Sequence, residues 1–100
     1  MKPPGAVFDT DGYHLVAWTF VGERQRPTGR AVHIVFGRRA GPAAGLAICT
    51  FDQDRGGGFY LFSCNEDWEI ESDTYHESLE AALAQAAREY EGIESWQYAV

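Results

Sequence analysis

One stretch, residues 78–93, decides the fold class, and it reads SLEAALAQAAREYEGI. Ser78 is a residue type favoured just before a helix, and Glu80 suits the positive end of the helix dipole. The apolar residues recur at helical spacing, at Leu79, Ala82, Leu83, Ala86, Ala87 and Tyr90. We predict a helix from about Leu79 to Glu91 that ends in a Schellman motif with Gly92 at the C′ position. The alanines of its apolar stripe predict close packing against a sheet.

Strand-like segments lie upstream of this helix. Aromatic and β-branched residues are frequent in residues 13–21, 31–37, 46–51, 59–64 and 68–75. Residues 52–58 favour a hairpin between two of these strands, and residues 38–45 are predicted to form a loop. The tail with Trp96 and Tyr98 either adds a short strand or covers the core. This order predicts an α+β fold, with a four- to five-stranded antiparallel sheet followed by one C-terminal amphipathic helix packed on one face.

Length and composition predict a single domain that covers residues 1–100. With 45% hydrophobic and 23% charged residues, the chain can build a core without a disulfide or a metal ion. Cys49 and Cys64 lie in separate apolar segments, which favours buried free thiols and leaves a disulfide between them as the alternative. No apolar run has the length of a signal peptide or a membrane span. We therefore expect a cytoplasmic protein with no membrane partner.

Negative charge is concentrated in the second half of the chain. The net charge is −7, and residues 56–100 contain one basic residue, Arg88, against ten acidic residues. Residues 1–55 contain seven basic residues against five acidic ones. A field of one sign influences the choice of partner and the association rate more than it influences the fold.

The strand predicted at residues 68–75 carries the candidate partner-binding surface. Its side chains alternate, and the less polar set consists of Trp68, Ile70, Ser72 and Thr74. On the other face, successive carboxylates would lie about 6.5–7 Å apart in an extended strand. We predict that a basic protein partner contacts Asp67, Glu69, Glu71, Asp73, Tyr75 and Glu77. The alternative is a solvated strand face whose like charges discourage edge-to-edge pairing.

The sequence contains no complete catalytic, metal or cofactor motif. His14, His33 and His76 are isolated from one another, without the spacing of a zinc site. The paired aspartates at residues 9 and 11, and at 52 and 54, are more typical of turns than of a calcium loop. Glycines 56–58 lack the lysine that follows a phosphate-binding loop. We therefore expect a protein without enzymatic activity, catalytic residues, metal or cofactor.

A second hypothesis is an accessory role in nucleic-acid binding. Its candidate residues are the loop arginines Arg24, Arg26, Arg30, Arg38 and Arg39. If their two loops meet at one end of the sheet, these side chains could contact phosphate groups. A sequence pI near 4.7 and the lack of a recognised binding motif make nucleic acid the less favoured partner. A homodimer through an exposed edge strand is a further possibility.

Three segments of the second half carry a resemblance to known proteins. They read YLFSCNEDW at residues 60–68, DTYHESLE at residues 73–80 and EYEGI at residues 89–93. Together they resemble the C-terminal half of small bacterial proteins, some of which are similar to immunity proteins of toxin systems. The resemblance implies a binding role, because an immunity protein neutralises its toxin by occupying the toxin's active surface. It implies no catalytic residue.

Overall fold

A computed structural model shows how these segments fold. The structure describes residues 2–5, 7–8, 12–22, 26–27, 34–35, 38–39, 43–51, 58–93 and 95–99. The strands are β1 (Tyr13–Phe20), β2 (Arg26–Pro27), β3 (Ile34–Val35), β4 (Arg38–Arg39), β5 (Gly45–Phe51), β6 (Phe59–Cys64), β7 (Ile70–His76), β8 (Tyr90–Glu91) and β9 (Gln97–Tyr98). The helix is α1 (Leu79–Glu89). It is too short to cross a membrane, and no helix in the described ranges could do so.

The main sheet has five antiparallel strands in the order β7-β6-β5-β1-β9. Strands β5 and β6 pair as the predicted hairpin, with Cys49 opposite Tyr60. The tail supplies the fifth strand, because Gln97 and Tyr98 pair with β1. The predicted α+β architecture, a five-stranded antiparallel sheet with one helix packed on it, is confirmed.

The strand predicted at residues 31–37 differs from the structure. Only Ile34 and Val35 of that segment are described, and they pair with Arg38 and Arg39 in a separate two-stranded ladder. Residues 38–39 were predicted as loop, so the start of that loop is corrected to strand β4. The main sheet obtains its fifth strand from the C-terminal tail instead.

Helix α1 begins as predicted and ends two residues early. The Ser78 hydroxyl accepts a hydrogen bond from the Ala81 backbone N–H at 3.1 Å, which caps the first turn. Tyr90 is already extended, with φ −135° and ψ 131°, because β8 pairs with β2. Gly92 has φ 82° but follows β8, so it turns the chain after the strand. The predicted Schellman ending is therefore wrong.

The helix covers one side of the sheet, which we call the helix face. Its buried cluster consists of Ala43, Leu46, Ile48, Leu61, Ala82, Ala86 and Tyr90. The alanines of α1 allow the helix backbone to lie close to β5 and β6, as the sequence predicted. The Tyr90 hydroxyl accepts a hydrogen bond from the Ala43 backbone N–H at 2.7 Å, which ties the end of the helix to the start of β5.

The opposite side, which we call the open face, is packed by aromatic rings. Its buried cluster consists of Phe8, Ala47, Cys49, Phe62, Cys64 and Trp68. Strand β5 has small side chains here, and the rings of Phe8 and Trp68 cover them from outside the sheet. The Phe8 ring stacks on Phe62 with centroids 6.0 Å apart. This cover is local, and it leaves part of the open face accessible to solvent.

Both cysteines are buried thiols that take part in no disulfide, as predicted. Burial raises the pKa of the Cys64 thiol from 9.0 to about 12, and the Glu71 carboxylate adds to this shift. Such a thiol stays protonated near neutral pH, whereas thiolate chemistry would need it ionised.

Candidate recognition surface

The segment before β7 is a turn rather than the start of the strand. The Asn65 side-chain Oδ1 accepts hydrogen bonds from the backbone N–H groups of Asp67 at 2.9 Å and Glu69 at 3.0 Å. Asn65 Nδ2 also donates to Glu69 Oε1 at 3.0 Å. Because Asn65 organises this turn, Glu69 lies outside strand β7, although it falls within the predicted strand. The expected row that begins at Glu69 is corrected accordingly.

Trp68 packs inward, although not from a strand position. Its φ is 62°, in the left-handed region that a bulky residue adopts at a cost of about 1–2 kcal/mol. Its side chain is 4% exposed, and Nε1 donates a hydrogen bond to the Lys2 carbonyl oxygen at 2.7 Å. Its ring lies edge-on to Trp18, with centroids 5.9 Å apart. These contacts hold the turn and the N-terminal segment together over the open face.

A β-bulge interrupts the alternation at the start of β7. Cys64 pairs with Ile70, and Ser63 pairs with Ser72, so Glu71 is the extra residue. The bulge returns Ile70 to the open face, where its side chain is 45% exposed. The predicted alternation, which put Ile70 on the same face as Ser72 and Thr74, is therefore wrong at this residue.

Beyond the bulge, the predicted alternation holds. Ser72 and Thr74 are half-buried on the helix face, opposite Ser63 and Leu61. Asp73 and Tyr75 are exposed on the open face, where they pair with Phe62 and Tyr60. Strand β7 is also an edge of the main sheet, so these two side chains lie at its border.

The six predicted partner-binding residues are all exposed along this border, which we call the acidic edge: Asp67, Glu69, Glu71, Asp73, Tyr75 and Glu77. The first two belong to the turn, the next three to β7, and Glu77 follows the strand. The structure thus places them along one edge of the sheet without aligning them in a single row. Lys2 and Arg88 are the lysine and arginine side chains in the part of the chain that the structure describes.

A continuous row of rings, which was not predicted from the sequence, lies on the open face. Centroid distances are 4.1 Å from Tyr13 to Phe51, 4.6 Å from Phe51 to Tyr60 and 5.2 Å from Tyr60 to Tyr75. This aromatic row, Tyr13, Phe51, Tyr60 and Tyr75, crosses strands β1, β5, β6 and β7. The first three rings are half-buried, and Tyr75 is 53% exposed. The row becomes visible only when the register of the four strands is known. From the sequence, Tyr75 was the one member of the row predicted to contact a partner.

Gly58 makes room for the exposed end of this row. A Cβ atom at position 58 would lie 2.5 Å from Tyr75 Cε2 and 3.0 Å from its hydroxyl oxygen. The Tyr75 ring therefore rests on the backbone just before β6. A larger residue at position 58 would displace the ring, whose outer end is free to move into solvent.

The other candidate sites receive no support from the described residues. Within those residues, no group of three histidine, cysteine or acidic side chains could hold a metal ion. His76 Nε2 lies 2.7 Å from Thr74 Oγ1, and His33 lies outside the described residues. The aspartates at residues 9, 11, 52 and 54 and the arginines at residues 24 and 30 also lie outside them. The side chains of Arg26, Arg38 and Arg39 are likewise outside the description.

Comparison with known proteins finds no relative on which to base a function. The chain matches no family model, no curated protein and no solved structure. The resemblance to immunity-like proteins stays a prediction, and the recognition surface must be interpreted from its own residues.

Proposed function

We propose that this chain is a small protein-binding module whose acidic edge engages a basic protein partner in the cytoplasm. The observation that carries the proposal is the exposure of five carboxylates along one border of the sheet. Carboxylates grouped in this way attract a cationic surface over a distance of about 8–10 Å at physiological salt. They raise the association rate and exclude partners of the same charge.

The edge position of β7 supports two kinds of contact. Strand β3 lies beside part of β7. The backbone groups of β7 that β3 leaves uncovered can pair with an extended segment of a partner, while the side chains of β7 set the specificity. The same position could pair with a second copy of this chain, which gives the predicted homodimer. Like charges on both copies oppose that arrangement, so a basic partner fits the surface better than a second copy does.

Neutralisation of a toxin is the specific form of this proposal. Toxins that act on nucleic acids need a basic active surface, and an acidic edge is complementary to such a surface. The resemblance of residues 60–68, 73–80 and 89–93 to immunity-like proteins favours the same function. A binding role of this kind requires no catalytic residue or cofactor.

The test compares two charge-reversed proteins of equal net charge. Glu71→Lys with Asp73→Lys changes the acidic edge, whereas Glu80→Lys with Glu91→Lys changes exposed carboxylates on α1 and β8. A partner is first identified by cross-linking and mass spectrometry in the native cell, and its affinity for each purified variant is then measured. We expect the edge variant to lose about tenfold or more in affinity and the control about threefold or less.

Two outcomes contradict the proposal. One is an equal loss of affinity in both variants, because this would mean that net charge alone attracts the partner. The other is a partner whose contact surface is acidic or apolar. Circular dichroism spectra of both variants must match that of the unchanged protein, so that a loss of binding reports on the surface.

A further inference from the structure

We infer that the aromatic row binds arginine side chains of the basic partner, so that guanidinium groups stack on the exposed ring of Tyr75 beside the half-buried ring of Tyr60. This inference rests on the proposed function and adds the chemistry of the contact. It concerns the open face, whereas the proposed function concerns the charge of the neighbouring border.

The rings provide the stacking surface. Tyr60 and Tyr75 lie on adjacent strands with centroids 5.2 Å apart and planes inclined at 65°, so together they form a corner rather than a flat stack. Tyr75 is 53% exposed, and Tyr60 is half-buried beside it. A planar cation that enters this corner can stack on the face of one ring and present its own edge to the other ring.

Asp73 supplies the charge next to the rings. It lies two residues before Tyr75 on the same strand face, a spacing of about 6.5–7 Å along an extended strand. Its cross-strand partner is Phe62, whose ring is buried, so the exposed carboxylate stands beside an apolar surface. A guanidinium group stacked on Tyr75 can therefore donate hydrogen bonds to Asp73, in the fork geometry that carboxylates accept.

The same features select arginine over other occupants. A guanidinium group is planar and weakly hydrated, so it stacks on aromatic rings more readily than the strongly hydrated ammonium group of lysine. A purely apolar partner would bury the carboxylates of the acidic edge without compensation. A second copy of this chain would bring a further charge of −7 to the same border. Charge complementarity thus favours an arginine-rich segment.

The test uses two fluorescein-labelled peptides of equal length and charge, one of alternating glycine and arginine and the other of alternating glycine and lysine. Binding to the full chain is followed by fluorescence anisotropy at low salt. We expect the arginine peptide to bind about fivefold or more tightly than the lysine peptide. Tyr75→Leu should abolish most of this preference, whereas Tyr98→Leu, which removes an exposed ring at the far edge of the sheet, should leave it unchanged.

Gly58→Ala provides a second variant that keeps the tyrosine but displaces its ring. We expect it to lower the preference for arginine in the same direction as Tyr75→Leu. If both variants keep the full preference, the aromatic row is not the arginine site.

The outcomes separate this inference from the proposed function. One outcome is that the two peptides bind with equal affinity and that charge reversal at Glu71 and Asp73 weakens the binding of both. This result overturns the arginine inference and supports the acidic edge. Failure of both peptides to bind contradicts both proposals. Binding of a neutral hexasaccharide of glucose that Tyr75→Leu abolishes would assign the aromatic row to sugar rings and overturn the inference.

Discussion

The two faces of the main sheet are closed in different ways. The helix face is sealed by α1, whose Ala82 and Ala86 bring the helix close to Leu46, Ile48 and Leu61, and all five side chains are buried. Among the residues that the structure describes, Phe8 and Trp68 cover the open face where they lie over the small residues of β5. The rest of that face ends in exposed side chains at the border formed by β7.

This difference assigns stability mainly to the helix face and recognition to the border of the open face. Aliphatic and alanine side chains on the helix face contribute through burial and dense packing. Large rings on the open face have more surface than the local cover can bury, so they remain available for a partner. Changes on the helix face should therefore act on the free energy of unfolding, and changes at the border of the open face should act on binding.

The largest contrast is expected between Ile48→Ala and Tyr75→Ala. Ile48 is fully buried under the helix, so its truncation should lower the free energy of unfolding by about 2–5 kcal/mol. Tyr75 is mostly exposed, and its truncation should cost about 1 kcal/mol or less. Urea denaturation followed by tryptophan fluorescence measures both. Similar losses for the two variants would contradict the distinction between the faces.

Alkaline pH probes the buried part of the open face. The Cys64 thiol has a pKa of about 12 in the folded protein, against 9.0 for a thiol in water, the value expected of the unfolded chain. The unfolded chain loses this proton at a lower pH than the folded protein does. The contribution of the thiol to the free energy of unfolding is therefore complete below pH 9.0 and decreases as the pH rises toward 12. Between about pH 9 and 10.5 the loss from this group should be on the order of 2 kcal/mol.

Cys64→Ala is the matched control for this pH dependence. It should unfold with a smaller alkaline slope, and the slope that persists should include Tyr90, whose pKa burial also raises above 10.0. Denaturation curves at several pH values give the two slopes. An unchanged slope in Cys64→Ala would mean that this thiol is already accessible to water in the folded protein.

A smaller effect is expected from Trp68→Phe, which tests the cover over the open face. The substitution keeps an aromatic ring but removes the hydrogen bond from Nε1 to the Lys2 carbonyl oxygen. We expect a loss of about 1–2 kcal/mol in the free energy of unfolding and faster hydrogen exchange at Val7. Trp96→Phe, on the helix side, should leave exchange at Val7 unchanged. Equal exchange in both variants would contradict the role of Trp68.

Periodicity was sufficient to predict the elements that depend on local sequence. The helix start at Ser78, the hairpin of β5 and β6, and the alternation from Ser72 to Tyr75 are present in the structure. The helix end was missed because the pairing of Tyr90 with Pro27 is a long-range contact. The bulge at Glu71 was missed because an extra residue leaves no mark in a pattern of alternating polarity.

The candidate surface was predictable in its charges but not in its shape. Counting acids identified the border of β7, whereas the turn made by Asn65 depends on side-chain hydrogen bonds that composition does not reveal. The aromatic row requires the register of four strands. Phe51 and Tyr60 look like ordinary core residues in the sequence. The structure places Tyr60 opposite Tyr75 and the Phe51 ring against Tyr60.

The most direct test of recognition at the border of the open face is the map of residues that respond when the protein is titrated with the alternating glycine-arginine peptide. Two-dimensional NMR of amide and aromatic groups gives this map residue by residue. We predict that the largest shifts occur at Asp73, Tyr75 and Tyr60, with little change in α1. Shifts centred on α1, with β7 unaffected, would contradict the assignment of recognition to this border.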